Sequence, residues 1–254
     1  MEEVRIVDTT LRDGNTSLWA HNMTTGMMHP VLRHMDQAGF DGMEFFVSGR
    51  FKKVVREQRD DPWDWVRYGQ KQIKNTRLRY HGGLNSGFNL TPRCIPRLIV
   101  ERVVHYGITL TRLSDPWNDY QALAPEVAEL KTLGMDSVVN IIYSISPRHT
   151  DEYYARKARE AAAMKPYRVC FKDVGGMLTP ERTRTLVRLV LDNAGDVPVE
   201  FHAHCNNGLA PFNILEAVKE GIRIVHTSVP PLANGSAQPS IFNVARNLRA
   251  LGYK

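Results

Sequence analysis

Short apolar runs rich in β-branched and aromatic residues alternate along this chain with longer stretches of helical periodicity. Extended segments are expected at 4–7, 42–46, 78–81, 108–113, 137–143, 168–172, 197–204 and 222–227. Each is followed by helical character, clearest at 61–73, 95–106, 124–133, 151–164, 180–192, 210–219 and 239–251. Start signals mark several helices. Asp61-Pro62, Thr179-Pro180-Glu181 and Thr150-Asp151-Glu152 place a capping side chain before the first turn, twice with proline where a missing N–H costs nothing. Stops fall at Gly39, Gly107, Gly134 and Gly221. Eight strand–helix units in one domain, 1–254, point to a single (β/α)₈ TIM barrel. An open doubly wound sheet is the second architecture to consider, but the segment after the first strand, DTTLRDG, has no glycine fingerprint.

Composition narrows the class. With 43% hydrophobic and 24% charged residues, 254 residues suffice for one large core. There is no apolar run long enough to insert in a membrane, and the start MEEVRIVDTT carries no leader pattern, so a cytoplasmic location is expected. Cys94, Cys170 and Cys205 are too scattered for a disulfide framework and are expected as thiols. The net charge of +6 suits attraction of anions. Basic residues form no tract beyond pieces such as Arg50 to Lys53, which argues against nucleic acid and for an anionic metabolite or a charged partner surface.

The chemistry gathers at strand ends. In an extended strand His202 and His204 point to one side, where two imidazoles can close on one ion; a half-buried pair with backbone partners is the alternative. In a barrel, catalytic groups collect at the C-terminal strand ends, where this reading also puts Asp8, Glu44, His81, Arg112 and Lys172. A carboxylate, two imidazoles and one further oxygen suit Zn²⁺, Mn²⁺ or Co²⁺ better than Ca²⁺ or Mg²⁺. The lysine stands out, because an ammonium has no lone pair to offer a metal.

Several motifs in order then carry a resemblance: Asp8-Thr9-Thr10-Leu11-Arg12-Asp13 with Ser17-Leu18, Asp61-Pro62-Trp63, Phe171-Lys172-Asp173-Val174-Gly175-Gly176, His202-Ala203-His204 and Ala237-Gln238-Pro239-Ser240. From residue 4 to about 245 the chain resembles the carboxyltransferase domain of pyruvate carboxylase, the oxaloacetate decarboxylase α subunit and transcarboxylase, a branch of the metal-dependent barrels that include HMG-CoA lyase. The resemblance implies that the lysine is carboxylated to a carbamate, with Asp8, Lys172, His202 and His204 as the metal set. It also implies that Arg12 helps stabilise an enolate, and that Ser236 stands where relatives use a threonine hydroxyl to carry a proton. Glu44 would orient Arg12.

Departures fall on the substrate side. Where relatives read R-G-A-N-A-V-G-Y after the third strand, this chain has His81-Gly82-Gly83-Leu84-Asn85-Ser86-Gly87-Phe88. Their arginine and tyrosine become His81 and Phe88, and a glutamine becomes Thr16, while Arg112 keeps its arginine. Thr16, His81, Arg112 and Arg12 are therefore the expected substrate contacts. No biotin-carrier motif is found, since Ala163-Met164-Lys165-Pro166 only approximates one, and no C-terminal extension is expected after the eighth helix.

The expected activity is metal-dependent carboxyl transfer or decarboxylation on a small anionic 2-oxo acid such as pyruvate or oxaloacetate. Biotin, if used, would sit on a separate carrier protein, and a homo-oligomer is expected. Two other readings stay open here: a biotin-independent aldolase or Claisen-type enzyme, and a catalytically degenerate subunit of a larger assembly.

Overall fold

The computed structural model describes residues 2–85 and 91–254. Phe88, with Ser86 and Gly87, lies outside the described residues. Eight parallel strands close in sequence order into a barrel: β1 Arg5–Asp8, β2 Gly42–Phe46, β3 Leu78–His81, β4 Leu110–Leu113, β5 Asp136–Ile142, β6 Arg168–Asp173, β7 Val199–Ala203 and β8 Ile224–Thr227. The helices are α1 Asn15–Trp19, α2 Thr25–Asp36, α3 Phe51–Lys53, α4 Pro62–Gln72, α5 Cys94–His105, α6 Tyr120–Thr132, α7 Asp151–Ala163, α8 Pro180–Asn193, α9 Ala210–Lys219 and α10 Ile241–Ala250. This is the (β/α)₈ architecture expected from the alternation. The predicted caps form: Asp61, Thr150 and Thr179 accept from the backbone N–H groups of Trp63, Tyr153 and Arg182.

The strands expected from 108, 197 and 222 each start two residues later than their apolar runs. Ile108 N–H bonds back to Val103 O, Val197 N–H to Ala194 O and Ile222 N–H to Ala217 O, so each residue closes the preceding helix before pairing begins. Helix α10 starts at Ile241 because Ser228 N–H bonds to Pro239 O and Ile241 N–H to Ser228 O, tying 239–240 to the end of β8.

Alternation along the strands sorts the side chains. Met43, Phe171, Phe201 and Val225 face outward into one apolar core, with Leu186 and Ile214 from the surrounding helices. Facing inward are Arg79, Arg112, Arg168, Glu44, Glu200, His202 and His226, all buried. The barrel lumen is thus lined by ionisable groups. At its N-terminal end Glu200 accepts from Arg79 Nη1 at 2.9 and 3.0 Å, and Asp41 accepts from Arg168 Nη2 at 3.1 Å and Arg79 Nη2 at 3.3 Å. Buried charges are tolerated only when paired in this way.

Candidate metal centre

At the opposite, C-terminal end of the lumen, β1 runs into a wide helical turn, Thr10–Gly14, that carries Asp13 inward. The turn lies close against the loop after β8. A methyl group on Gly14 would stand 2.5 Å from Leu232 O, so only glycine permits the approach. Asp13 Oδ2 lies 3.4 Å from His202 Nε2 and 3.7 Å from His204 Nε2. It also accepts from Arg12 Nη2 at 2.7 Å and from Gln238 Nε2 at 3.3 Å. Burial alone would raise the Asp13 pKa, but Arg12, His204 and Lys172 outweigh it and hold the carboxyl well below the usual range.

Both imidazoles are kept neutral, the form that binds metals: burial, then Arg112, lowers the pKa of His202, and burial lowers that of His204. His204 Nδ1 sits 2.6 Å from the backbone oxygen of Ser236, which can only accept, so its Nε2 is bare. Lys172 is buried at the end of β6, level with His202 in the β6–β7 register. Burial and Arg112 bring its ammonium pKa down to about 7. A good fraction is therefore the free amine at neutral pH. Among the described residues no oxygen accepts a hydrogen bond from its Nζ.

Asp8 does not join this group, which corrects the expected metal set. The strand registers put Asp8 level with Met43 and Thr227, on the outward face, while Val7 is level with the inward-facing His226. Its carboxylate accepts from Thr10 N at 3.1 Å and Thr10 Oγ1 at 2.5 Å, an Asx-type turn that starts the loop. Burial pushes its pKa up to about 7. Asp13, five residues on, supplies the carboxylate that converges on the imidazoles. Period-two alternation gives no guide to a residue on an irregular turn, although Asp8-Thr9-Thr10 did carry the local signal of a turn carboxylate.

The other expected residues are distributed around the centre. Arg12 donates from Nε to Glu44 Oε2 at 2.8 Å, and Arg112 Nη2 donates to the same oxygen at 3.0 Å, so Glu44 anchors both guanidinium groups. Arg112 Nη1 and His81 Nδ1 are buried with no partner among the described residues. Burial and neighbouring Arg12 and Arg112 keep His81 neutral. Thr16 is turned to the backbone, its hydroxyl donating to Arg12 O at 2.6 Å. The Ser236 hydroxyl donates to Ser17 O at 2.7 Å.

Sequence reasoning missed His226, Glu200 and Glu126. The first two lie behind His202, with Glu200 two residues before it on the same strand face. Glu126 holds the loop after β3 by accepting from Leu84 N at 2.5 Å and Asn85 Nδ2 at 2.8 Å. Cys170, Glu200 and His226 also come within ligand distance of one another. There, however, Glu200 is already saturated by Arg79 and Arg168, which disfavours a further cation.

The chain is 34% identical over 98% of its length to one of the subunits that make up the pyruvate carboxylase of Methanocaldococcus jannaschii, covering 44% of that protein. It is 30% identical over 97% of its length to the 2-oxoglutarate carboxylase large subunit of Hydrogenobacter thermophilus, covering 38% of it. It thus spans less than half the length of these curated relatives. The carboxyl transferase domain of Rhizobium etli pyruvate carboxylase, solved with oxamate and biotin, superposes with a TM-score of 0.89 at 23% identity, over 100% of this chain and 45% of that one. That likeness shows the fold. Among the described residues no helix is long and apolar enough to cross a membrane. The model of the HMGL-like family matches residues 109–254, more than half of the chain, and together with the barrel this makes the protein a member of the HMGL-like family.

Proposed function

We propose that this chain is the metal-binding barrel of a carboxyltransferase, moving a carboxyl group to or from the carbon beside the ketone of a 2-oxo acid. The observation that carries the reading is one carboxylate oxygen 3.4 and 3.7 Å from two imidazole Nε2 atoms at the barrel mouth. Ligands about 2.0–2.1 Å from a tetrahedral ion stand about 3.3 Å apart, so these donors suit Zn²⁺, Mn²⁺ or Co²⁺. Asp13, His202 and His204 would hold the ion. Lys172, once its free amine has added CO₂, would supply a carbamate oxygen as the fourth ligand. When bound, the cation acts as a Lewis acid for the negative charge that develops on the ketone oxygen as the carbon–carbon bond is made or broken.

The protein's own groups supply recognition. Arg112 Nη1 and His81 Nδ1, buried without partners among the described residues, are the donors or acceptors left over for a small anionic substrate. Arg12, fixed by Asp13 and Glu44, adds permanent positive charge at the same mouth. Thr16, bonded to the Arg12 carbonyl, serves the site by holding this turn in shape. For Ser236 to carry a proton between substrate and biotin, its hydroxyl must exchange the Ser17 carbonyl for the substrate. The names of the relatives, components of a pyruvate carboxylase and of a 2-oxoglutarate carboxylase, both indicate 2-oxo acids. Biotin on a separate carrier protein, a homo-oligomeric assembly and a cytoplasmic location complete the reading, with 1–254 acting as the carboxyltransferase unit.

The test is elemental analysis of the purified protein, native mass measurement of a CO₂ adduct on Lys172, and oxaloacetate decarboxylation with a biotinylated carrier. Stoichiometric metal and biotin-dependent turnover are expected, both lost in Lys172→Ala. Turnover that ignores avidin would favour aldolase-type chemistry instead. Absent metal, or a Lys172→Ala protein with unchanged function, would remove the catalytic reading.

A further inference from the structure

Behind His202 runs a series of buried groups that the chemistry above leaves unused. His202 Nδ1 lies 2.9 Å from His226 Nδ1, and His226 Nε2 lies 3.0 Å from Glu200 Oε1. All three side chains are fully buried. Glu200 is held by Arg79 at 2.9 and 3.0 Å and by Arg168 at 3.4 Å, the setting of an ionised carboxylate that only accepts. On the other side of His202, Gln238 Nε2 lies 3.1 Å from His202 Nε2 and 3.3 Å from Asp13 Oδ2. The Asp13 carboxylate requires the NH₂ end of the Gln238 amide on its side, and the Gln238 carbonyl oxygen accepts from Thr9 Oγ1 at 2.7 Å.

With both imidazoles neutral, the form that burial favours, one placement of protons satisfies every contact. The Gln238 amide donates to His202, so His202 Nε2 carries no proton and His202 Nδ1 does. His202 Nδ1–H then donates to His226 Nδ1, whose ring proton is left on Nε2 and donates to Glu200. The reverse assignment would set two donors face to face at Gln238. The two metal-facing imidazoles thus have their tautomers fixed by different means. For His204 the acceptor is a backbone carbonyl that no substitution removes, whereas for His202 it is a side-chain pair.

We propose that Glu200 and His226 are positioning residues that lock His202 in the Nδ1-protonated tautomer, presenting its Nε2 lone pair to a divalent cation beside Asp13 and His204. The ligand-presenting part of this statement rests on the proposed metal site, while the tautomer itself does not. A neutral imidazole in water favours the Nε2-protonated form, so without the pair the wrong nitrogen would face the ion for much of the time.

The experiment uses long-range ¹H–¹⁵N correlation spectra of the metal-free full chain labelled at histidine, with Zn²⁺ affinity measured by competition against a chromophoric chelator. The wild type should show Nδ1–H and a bare Nε2 at both His202 and His204. In His226→Leu, His202 should lose that bias while His204 keeps it, and Zn²⁺ should bind about 10- to 100-fold more weakly. His226→Gln, whose amide can accept from His202 and donate to Glu200, should restore most of both. A wild-type His202 protonated on Nε2 overturns the proposal, as does His226→Leu with unchanged tautomer and affinity. Should His226→Leu fail to fold, the wild-type spectrum still decides the tautomer. A wild type with the stated tautomer but no Zn²⁺ binding would sink the metal site and the presenting role together, a result distinct from a wrong tautomer.

Discussion

At the N-terminal end of the barrel lumen, Asp41 and Glu200 face Arg79 and Arg168, and the charges cancel in pairs. At the C-terminal end, Asp13, His202, His204 and Lys172 are also buried, yet Asp13 Oδ2 and the two imidazole Nε2 atoms lie within ligand distance of one another, and neither His204 Nε2 nor Lys172 Nζ makes a hydrogen bond among the described residues. Burial and charge do not distinguish the two ends. The difference lies in whether the hydrogen-bonding capacity is closed, and closed networks hold a fold together while open ones await a ligand.

That contrast can be broken in four ways, beginning with the largest effect. His204→Ala should abolish stoichiometric metal loading, weakening binding at least about 100-fold, while circular dichroism of the metal-free protein stays unchanged. Asp41→Ala at the other end should do the reverse. It leaves Arg168 and Arg79 short of a buried partner and should lower unfolding free energy by about 3 kcal/mol in urea titrations, with metal binding intact.

Asp8 sharpens the comparison, since it is buried but belongs to neither end. Its folded-state pKa of about 7 lies above its ordinary value of 3.8. Its protonated form therefore favours the fold at low pH, and stability should be lost as pH rises from about 4 through 7. Asp8→Asn, which keeps an acceptor for Thr10 N, should flatten that part of the stability–pH profile and raise stability at pH 8 by an amount on the order of 2 kcal/mol. The smallest effect is expected from Thr16→Val, which removes one hydrogen bond to Arg12 O and should cost about 1 kcal/mol without changing metal content.

Much of the fold was legible because its rules are periodic. Gly42–Phe46 and Leu78–His81 have the bounds their apolar runs suggested, and Asp61, Thr150 and Thr179 cap the helices they precede. Helix α2 was signalled only by its stop near Gly39, since Gly26 and Pro30 interrupt its periodicity. In the site, His202, His204 and Lys172 were readable from strand position. Asp13 was not, because its direction is set by an irregular turn whose shape depends on the loop after β8. His226 went unread because its value lies in contact with a neighbouring strand, which no pattern within Ile224–Thr227 reveals.

The centre straddles the seam where the first strand of the barrel meets the eighth. Thr9, just past the first strand, bonds to Thr227 at the end of the eighth and to Ser228 and Gln238 in the segment after it, and Val4 N–H and Lys254 N–H bond to Lys254 O and Glu2 O. Asp13 is therefore held beside the two imidazoles only when the first and last strands are paired, so the proposed cation site is complete only in the closed barrel.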